Sequence, residues 1–203
     1  MILIFVQWAG FKSAHLVNET LLHSFYMLLQ QIKYALSTTL FHRERLRPTY
    51  IIPNFKCLKI PPTVKFVILD KDNCFARPHE TSVLPEFKPA FDSIINKVDT
   101  CILSNEAGDA TADKDNKLAR KLENSTGVKV LRHKKKKPLC YDEILYQIPC
   151  KPSEVLVVGD RLYTDVVFAN LLGAQSVWIA PGVHPGYLNK LEIYMYNKFK
   201  SNI

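Results

Sequence analysis

Two aspartates with one residue between them, Asp70 and Asp72 in VILDKDNC, end a run of β-forming residues. Asp160 and Asp165 follow another such run in VVGDRLYTD, Ser104 and Asn105 close CILSN, and Lys137 is the last of four consecutive lysines. Taken singly these are ordinary: a D-x-D is most often a turn with two solvated acids, and a lysine run is usually a solvated face. Taken together they define one chemistry. Four carboxylates gathered at one point raise each other's pKa values unless a cation neutralises them. Ligation by oxygen alone favours a hard ion, and Mg²⁺ takes one or two carboxylates and completes its shell with water and a substrate phosphate. Asp70, Asp72, Asp160 and Asp165 are therefore the expected metal acids. The Ser104 hydroxyl, the Asn105 amide and the Lys137 ammonium become ligands for phosphoryl oxygens, whose charge must be stabilised at the transition state. A carboxylate held in line with phosphorus can attack it and form an acyl phosphate that water later hydrolyses. Asp70, first out of the strand, suits the attack. Asp72 lies two residues on, on the same side of an extended chain, and suits proton transfer to the leaving oxygen and from the water.

Those residues must be brought to one edge by the elements between them. After Pro62, Val64–Leu69 is a nearly continuous apolar run, as expected of a strand buried on both faces. Helical stretches at about 86–98, 114–123, 141–147 and 165–172 alternate with strands at 100–104, 128–131, 155–158 and 176–180. Asp113 is the expected N-cap of the second helix, and Gly127 and Gly173 stop helices. Alternation of this kind gives a doubly wound α/β domain with a parallel sheet of about five strands, in which ligands bind at the carboxyl ends. Every candidate residue stands at such an end. From Asp72 to Ser104 is 32 residues and from Ser104 to Lys137 is 33, each consumed by one helix and one strand. No room remains for a covering domain, so the site should be open and suited to a phosphate displayed on something large.

The chain of 203 residues with 47% apolar content has enough apolar material for a core. Five cysteines in no metal-binding spacing argue against a disulfide framework. The net charge of +8 is uneven: residues 1–62 carry seven Lys or Arg against two acids, and residues 63–203 carry twenty against seventeen. Leu21, Phe25, Leu28, Leu29, Ile32, Leu36 and Leu40 recur at helical spacing ahead of a basic cluster at Arg43–Arg47. Polar residues interrupt them often enough that no transmembrane helix is expected. Residues 1–62 are expected to be an amphipathic segment that associates with an anionic membrane, covers the core or serves as a transit segment, joined near Pro62 to a phosphatase domain over 63–203.

LDKDNC, ILSN, the lysine of KKP and VVGDRLYTD resemble the motifs of the haloacid dehalogenase (HAD) superfamily of phosphatases, across most of residues 64–180. The resemblance implies a HAD-like, Rossmann-type fold without a cap domain, Asp70 as nucleophile, Asp72 as acid–base, Ser104 and Lys137 as phosphate-holding residues, and Asp160 and Asp165 as metal acids. Cys74 stands where many members have threonine. More narrowly, SNEAGDATADKDNKLA, VLRHKKKKP and VGDRLYTDVVFANLLGAQSVWI resemble the fungal-type mitochondrial phosphatidylglycerophosphate phosphatases. That implies a phospholipid substrate, a role in cardiolipin synthesis and a peripheral position on the matrix side of the inner membrane. The alternatives are a capless phosphatase acting on a nucleic-acid end or a phosphoprotein, and a phosphate-binding scaffold without turnover. No basic and aromatic interleaving of the kind that stacks bases is present, so no nucleic acid is expected. Retention of Asp72 argues against the scaffold, because binding alone would not need a second acid.

Overall fold

The computed structural model describes residues 26, 29–30, 33–184 and 186–200, and the chain divides into two units, 1–41 and 42–203. In the first unit residues 33–41 are helical, and Leu29, Leu36 and Leu40 are exposed; Leu21, Phe25, Leu28 and Ile32 of the expected stripe lie outside the described residues.

The second unit is built on a six-stranded, wholly parallel sheet in the order β1-β6-β5-β2-β3-β4. The strands are β1 (Tyr50–Ile52), β2 (Phe66–Leu69), β3 (Asp99–Ile102), β4 (Lys129–Val130), β5 (Val155–Gly159) and β6 (Gln175–Ile179). The helices are α1 (Lys88–Ile95), α2 (Lys117–Thr126), α3 (Tyr141–Leu145), α4 (Val167–Leu172) and α5 (Tyr187–Phe199). From β2 the chain winds outward through β3 and β4, then returns to β5 and β6 on the other side, so the switch in winding lies between β2 and β5. That is where an open α/β sheet binds its ligand.

The strands alternate faces with a period of two, and both faces are buried. Val67, Leu69, Ile102, Leu156 and Val158 point into one core with Phe55, Phe75, Phe87 and Phe91. Phe66, Ile68, Cys101, Leu103, Val155 and Val157 point into the other with Ile144, Phe168 and Leu172. The phenylalanines pack as a cluster, with the Phe75 and Phe91 ring centres 5.0 Å apart.

Several expectations change. The sheet has six strands, not five, because Tyr50–Ile52 pairs with β6 at an edge. Pro48 and Pro53 flank this strand, as an edge strand tolerates. Thr49 and Ser176 lock this edge by exchanging amide-to-hydroxyl hydrogen bonds, both 3.0 Å. The expected boundary near Pro62 therefore falls inside the sheet-bearing unit, which starts at His42. Phe55 is fully buried, and the Asn170 side chain donates to the Arg45 and Arg47 carbonyls at 2.7 and 3.0 Å. The basic cluster thus belongs to the sheet-bearing unit. The second helix begins at Lys117, preceded by Asn116 at φ +55°. Asp113 still caps it from outside, accepting from the amides of Leu118 (3.0 Å) and Ala119 (2.9 Å) and also from Gly108 (3.1 Å). The helix expected from Asp165 starts as a π-turn over Leu162–Val166 before becoming α4. The C-terminal helix α5 was not anticipated.

Candidate active site

Strand β2 delivers Asp70 and the adjacent β5 delivers Asp160. The ladder between them continues one step past the strand, with the Asp70 amide donating to the Val158 carbonyl at 2.8 Å. Asp165 returns to the same point because the π-turn brings its side chain back under Gly159. A Cβ on Gly159 would lie 2.3 Å from Asp165 Cγ, so only glycine permits the approach. Carboxylate oxygens of Asp70, Asp160 and Asp165 lie within 4.8 Å of one another, and all three residues are buried.

Lys137 enters from the loop after β4. Its Nζ is 2.6 Å from Asp70 Oδ1 and 2.6 Å from Asp165 Oδ1. It is the one buried member of the lysine run, at 2% exposure, while Lys134 and Lys135 are exposed and Lys136 is half-buried. Asn105 holds the loop: its Oδ1 accepts the Lys137 amide at 2.7 Å. The Ser104 hydroxyl is buried and accepts from the amides of Glu106 (3.1 Å) and Ala107 (3.3 Å), which ties the loop after β3.

The electrostatics suit a cation. Burial pushes the Asp70 carboxyl up to about 7, with the charge of Asp165 adding to it and Lys137 opposing it. Burial, then the charges of Asp70 and Asp165, push Asp160 up to about 8. Burial disfavours the Lys137 ammonium, but Asp165 and Asp70 more than reverse this and hold it above the ordinary lysine value. One ammonium facing three buried carboxylates leaves negative charge uncompensated, and an all-oxygen donor set of this kind fits Mg²⁺.

Asp72 does not join this cluster, contrary to its expected place among the metal acids. The backbone turns directly after Asp72, with Asn73 at φ +57°, and the Asp72 carboxylate is held in the loop by other partners. There it pairs with the Lys71 ammonium and accepts the His79 amide at 3.1 Å. Cys74, in the position often held by threonine, is buried and has its thiol pushed well up by burial and by the nearby acids Asp70, Asp160 and Asp165. The loop holds without a hydroxyl there. Backbone bonds from Asn73 to Ala76 (2.9 Å), from Ala76 to Lys71 (3.2 Å) and from Val183 to Asn73 (2.8 Å) close it.

Residues that motif reasoning passed over orient the site. Asn189 of α5 donates to Asp160 Oδ2 at 2.8 Å. Glu192, also of α5, accepts from Arg161 Nη2 (2.8 Å) and the Leu162 amide (2.7 Å), and the Arg161 amide in turn donates to Asp165 Oδ2 at 3.0 Å. His133 bridges the loops after β3 and β4. Its Nε2 is 2.8 Å from the Ser104 carbonyl and its Nδ1 is 2.8 Å from the Lys135 carbonyl. Asp109 Oδ2 lies 3.9 Å from Nδ1. The histidine beside the lysine run was visible in the sequence; its partners came from loops that no local pattern connects.

The chain matches the family described as mitochondrial PGP phosphatase over residues 30–184. It is 41% identical over 170 residues to the mitochondrial phosphatidylglycerophosphatase of Saccharomyces cerevisiae, covering 78% of this chain and 91% of that protein. It is 31% identical over 150 residues to a probable mitochondrial phosphatidylglycerophosphatase of Schizosaccharomyces pombe, covering 69% and 72%. A magnesium-bound HAD-hydrolase of Bacillus subtilis aligns over 59% of this chain and 56% of its own at 18% identity, with a TM-score of 0.41. With the family matched across the whole acid cluster and its lysine, the chain belongs to the mitochondrial PGP phosphatase family and is a phosphatase.

Proposed function

We propose that the chain hydrolyses the phosphomonoester of phosphatidylglycerophosphate to phosphatidylglycerol and phosphate, through an aspartyl-phosphate at Asp70, on the matrix side of the inner mitochondrial membrane. The observation that carries the chemistry is Asp70 Oδ1 at 2.6 Å from a buried Lys137, beside two further buried acids. The substrate class is supported by the relatives, which are named for it across most of this chain.

Asp70, Asp160 and Asp165 would hold Mg²⁺, which when bound neutralises these acids and draws charge from phosphoryl oxygens. The Asp70 carboxylate forms an O–P bond as the bond from phosphorus to the glycerol oxygen breaks. Lys137, Ser104 and Asn105 would hold the phosphoryl oxygens, and the Lys137 ammonium also favours the ionised form of Asp70 against the effect of burial. Asp72 gives its proton to the leaving oxygen, then takes one from the water that attacks phosphorus and releases phosphate. Because Asp72 rests against Lys71, its carboxylate must turn from that partner to do so. No domain is inserted between Asp72 and Lys137, so a headgroup at a bilayer surface can reach the acids without a lid opening.

No helix among the described residues is long and apolar enough to cross a membrane. The exposed Leu29, Leu36 and Leu40 of the first unit support a contribution of the N-terminal segment to attachment at a membrane surface. The test is hydrolysis by the full chain of phosphatidylglycerophosphate in mixed micelles, beside soluble phosphomonoesters, with Mg²⁺ or with a chelator. Strong preference for the lipid and loss of turnover with the chelator are expected. Equal or better rates on a phosphopeptide or a nucleic-acid 5′-phosphate would overturn the substrate assignment.

A further inference from the structure

Helix α5 buries two polar side chains and exposes an apolar stripe. Tyr187, Leu191, Tyr194 and Lys198 recur at i, i+4, i+7 and i+11, which places them on one stripe. The three apolar members of that stripe are 80%, 43% and 61% exposed, and Leu188 beside them is 53% exposed. On the opposite face Asn189 and Glu192 are only 4% and 3% exposed. A helix covering the core of a soluble domain would turn the other way.

The inward face explains how this orientation is held. Asn189 donates to the Asp160 carboxylate at 2.8 Å, and Glu192 accepts from Arg161 and from the Leu162 amide. Tyr196 packs edge-on against Trp178, with ring centres 5.2 Å apart. The polar side is fastened to the loop that carries the acids, so the apolar stripe is fixed relative to the site. Charge then selects the partner. The only acid of α5 is the buried Glu192, and its exposed charges, Lys190 and Lys198, are both positive. An isologous pairing of two such stripes would set lysines against lysines. Tyrosine and leucine flanked by lysine are what a helix lying in an anionic lipid interface presents.

We infer that the outward face of α5, Tyr187, Leu188, Leu191 and Tyr194 with Lys190 and Lys198, docks on the surface of an anionic bilayer and sets the acid cluster at headgroup level. This rests on the lipid-phosphatase reading and deepens it, assigning membrane contact to a surface of the phosphatase unit itself.

The test uses the full chain and vesicles that contain no substrate, either phosphatidylcholine alone or with phosphatidylglycerol. Wild type should co-sediment with the anionic vesicles, and added salt should weaken that binding. The triple variant Tyr187→Ser, Leu191→Ser, Tyr194→Ser should bind them about tenfold more weakly or worse. It should hydrolyse p-nitrophenyl phosphate as wild type does and fall behind only on lipid presented in vesicles. Should that variant fail to fold, Lys190→Glu with Lys198→Glu decides, with the same selective loss expected. Unchanged vesicle binding by a folded variant overturns the inference, as does a variant that alters only the oligomeric state, which would make the stripe a contact between copies. Failure of wild type to hydrolyse phosphatidylglycerophosphate in micelles would strike the substrate reading alone, since the binding arm contains no substrate.

Discussion

Replacing Gly159 by alanine adds one methyl group at the most crowded point of the site. The new Cβ would stand 2.3 Å from both Cγ and Oδ2 of Asp165 and 2.6 Å from its Cβ. Ordinary contacts between such atoms begin above 3 Å, so Asp165 or the turn beneath it must move by about 1 Å. That shift loosens the Lys137 Nζ contact at 2.6 Å and the Arg161 amide bond at 3.0 Å together. Overpacking of this kind costs about 1–3 kcal/mol of stability. A misplacement of 1 Å in catalytic geometry can cost about 10²-fold in rate. Gly159→Ala should therefore lower kcat on p-nitrophenyl phosphate about a hundredfold and raise the Mg²⁺ concentration needed for half-maximal rate, while circular dichroism shows a folded protein with a Tm lowered by several degrees. Wild-type kcat and Mg²⁺ requirement in the folded variant would refute the claim that Asp165 is held by this close approach.

Among the four lysines, Lys137→Ala should abolish turnover, because it leaves Asp70 and Asp165 facing each other uncompensated, while Ala at Lys134 or Lys136 leaves the rate on a soluble phosphomonoester unchanged; equal losses at all positions would show a diffuse patch. Asp113→Ala removes the acceptor for three backbone amides and should lower stability by about 1–2 kcal/mol in urea unfolding. Since backbone hydrogen bonds outweigh burial and hold the Asp113 carboxyl below its ordinary range, this contribution is present at neutral pH and lost as pH falls through the lowered value. Burial holds Asp70 and Asp160 protonated up to about 7 and 8 when no cation is bound, so Mg²⁺ must displace protons. Calorimetry from pH 6 to 8 should show affinity rising with pH, accompanied by proton release; pH-independent affinity would contradict the acid cluster as its site.

What the sequence made legible follows from period and position. The apolar runs ending in Asp70 and Asp160 are buried on both faces, which gives a parallel sheet, and parallel strands share a carboxyl edge, so the convergence of Asp70, Ser104, Lys137, Asp160 and Asp165 follows from the winding alone. Elements held by tertiary pairing were not legible. Tyr50–Ile52 has only three strand residues between prolines and exists because β6 offers an edge. Helix α5 buries Asn189 and Glu192 and exposes Tyr187, Leu188, Leu191 and Tyr194, which defeats a reading based on amphipathic direction. The partners of Asp72, the Lys71 ammonium and the His79 amide, are likewise set by the folded loop and not by the period of the strand before it.

The central claim is that Asp70 itself becomes phosphorylated. Wild-type enzyme mixed with phosphatidylglycerophosphate and quenched in acid within one turnover should yield, by mass spectrometry, a phosphate on the peptide containing Asp70. The same peptide from Asp70→Asn should be unmodified and that variant inactive. Near-normal hydrolysis by Asp70→Asn, or phosphate on a different residue, would contradict the mechanism.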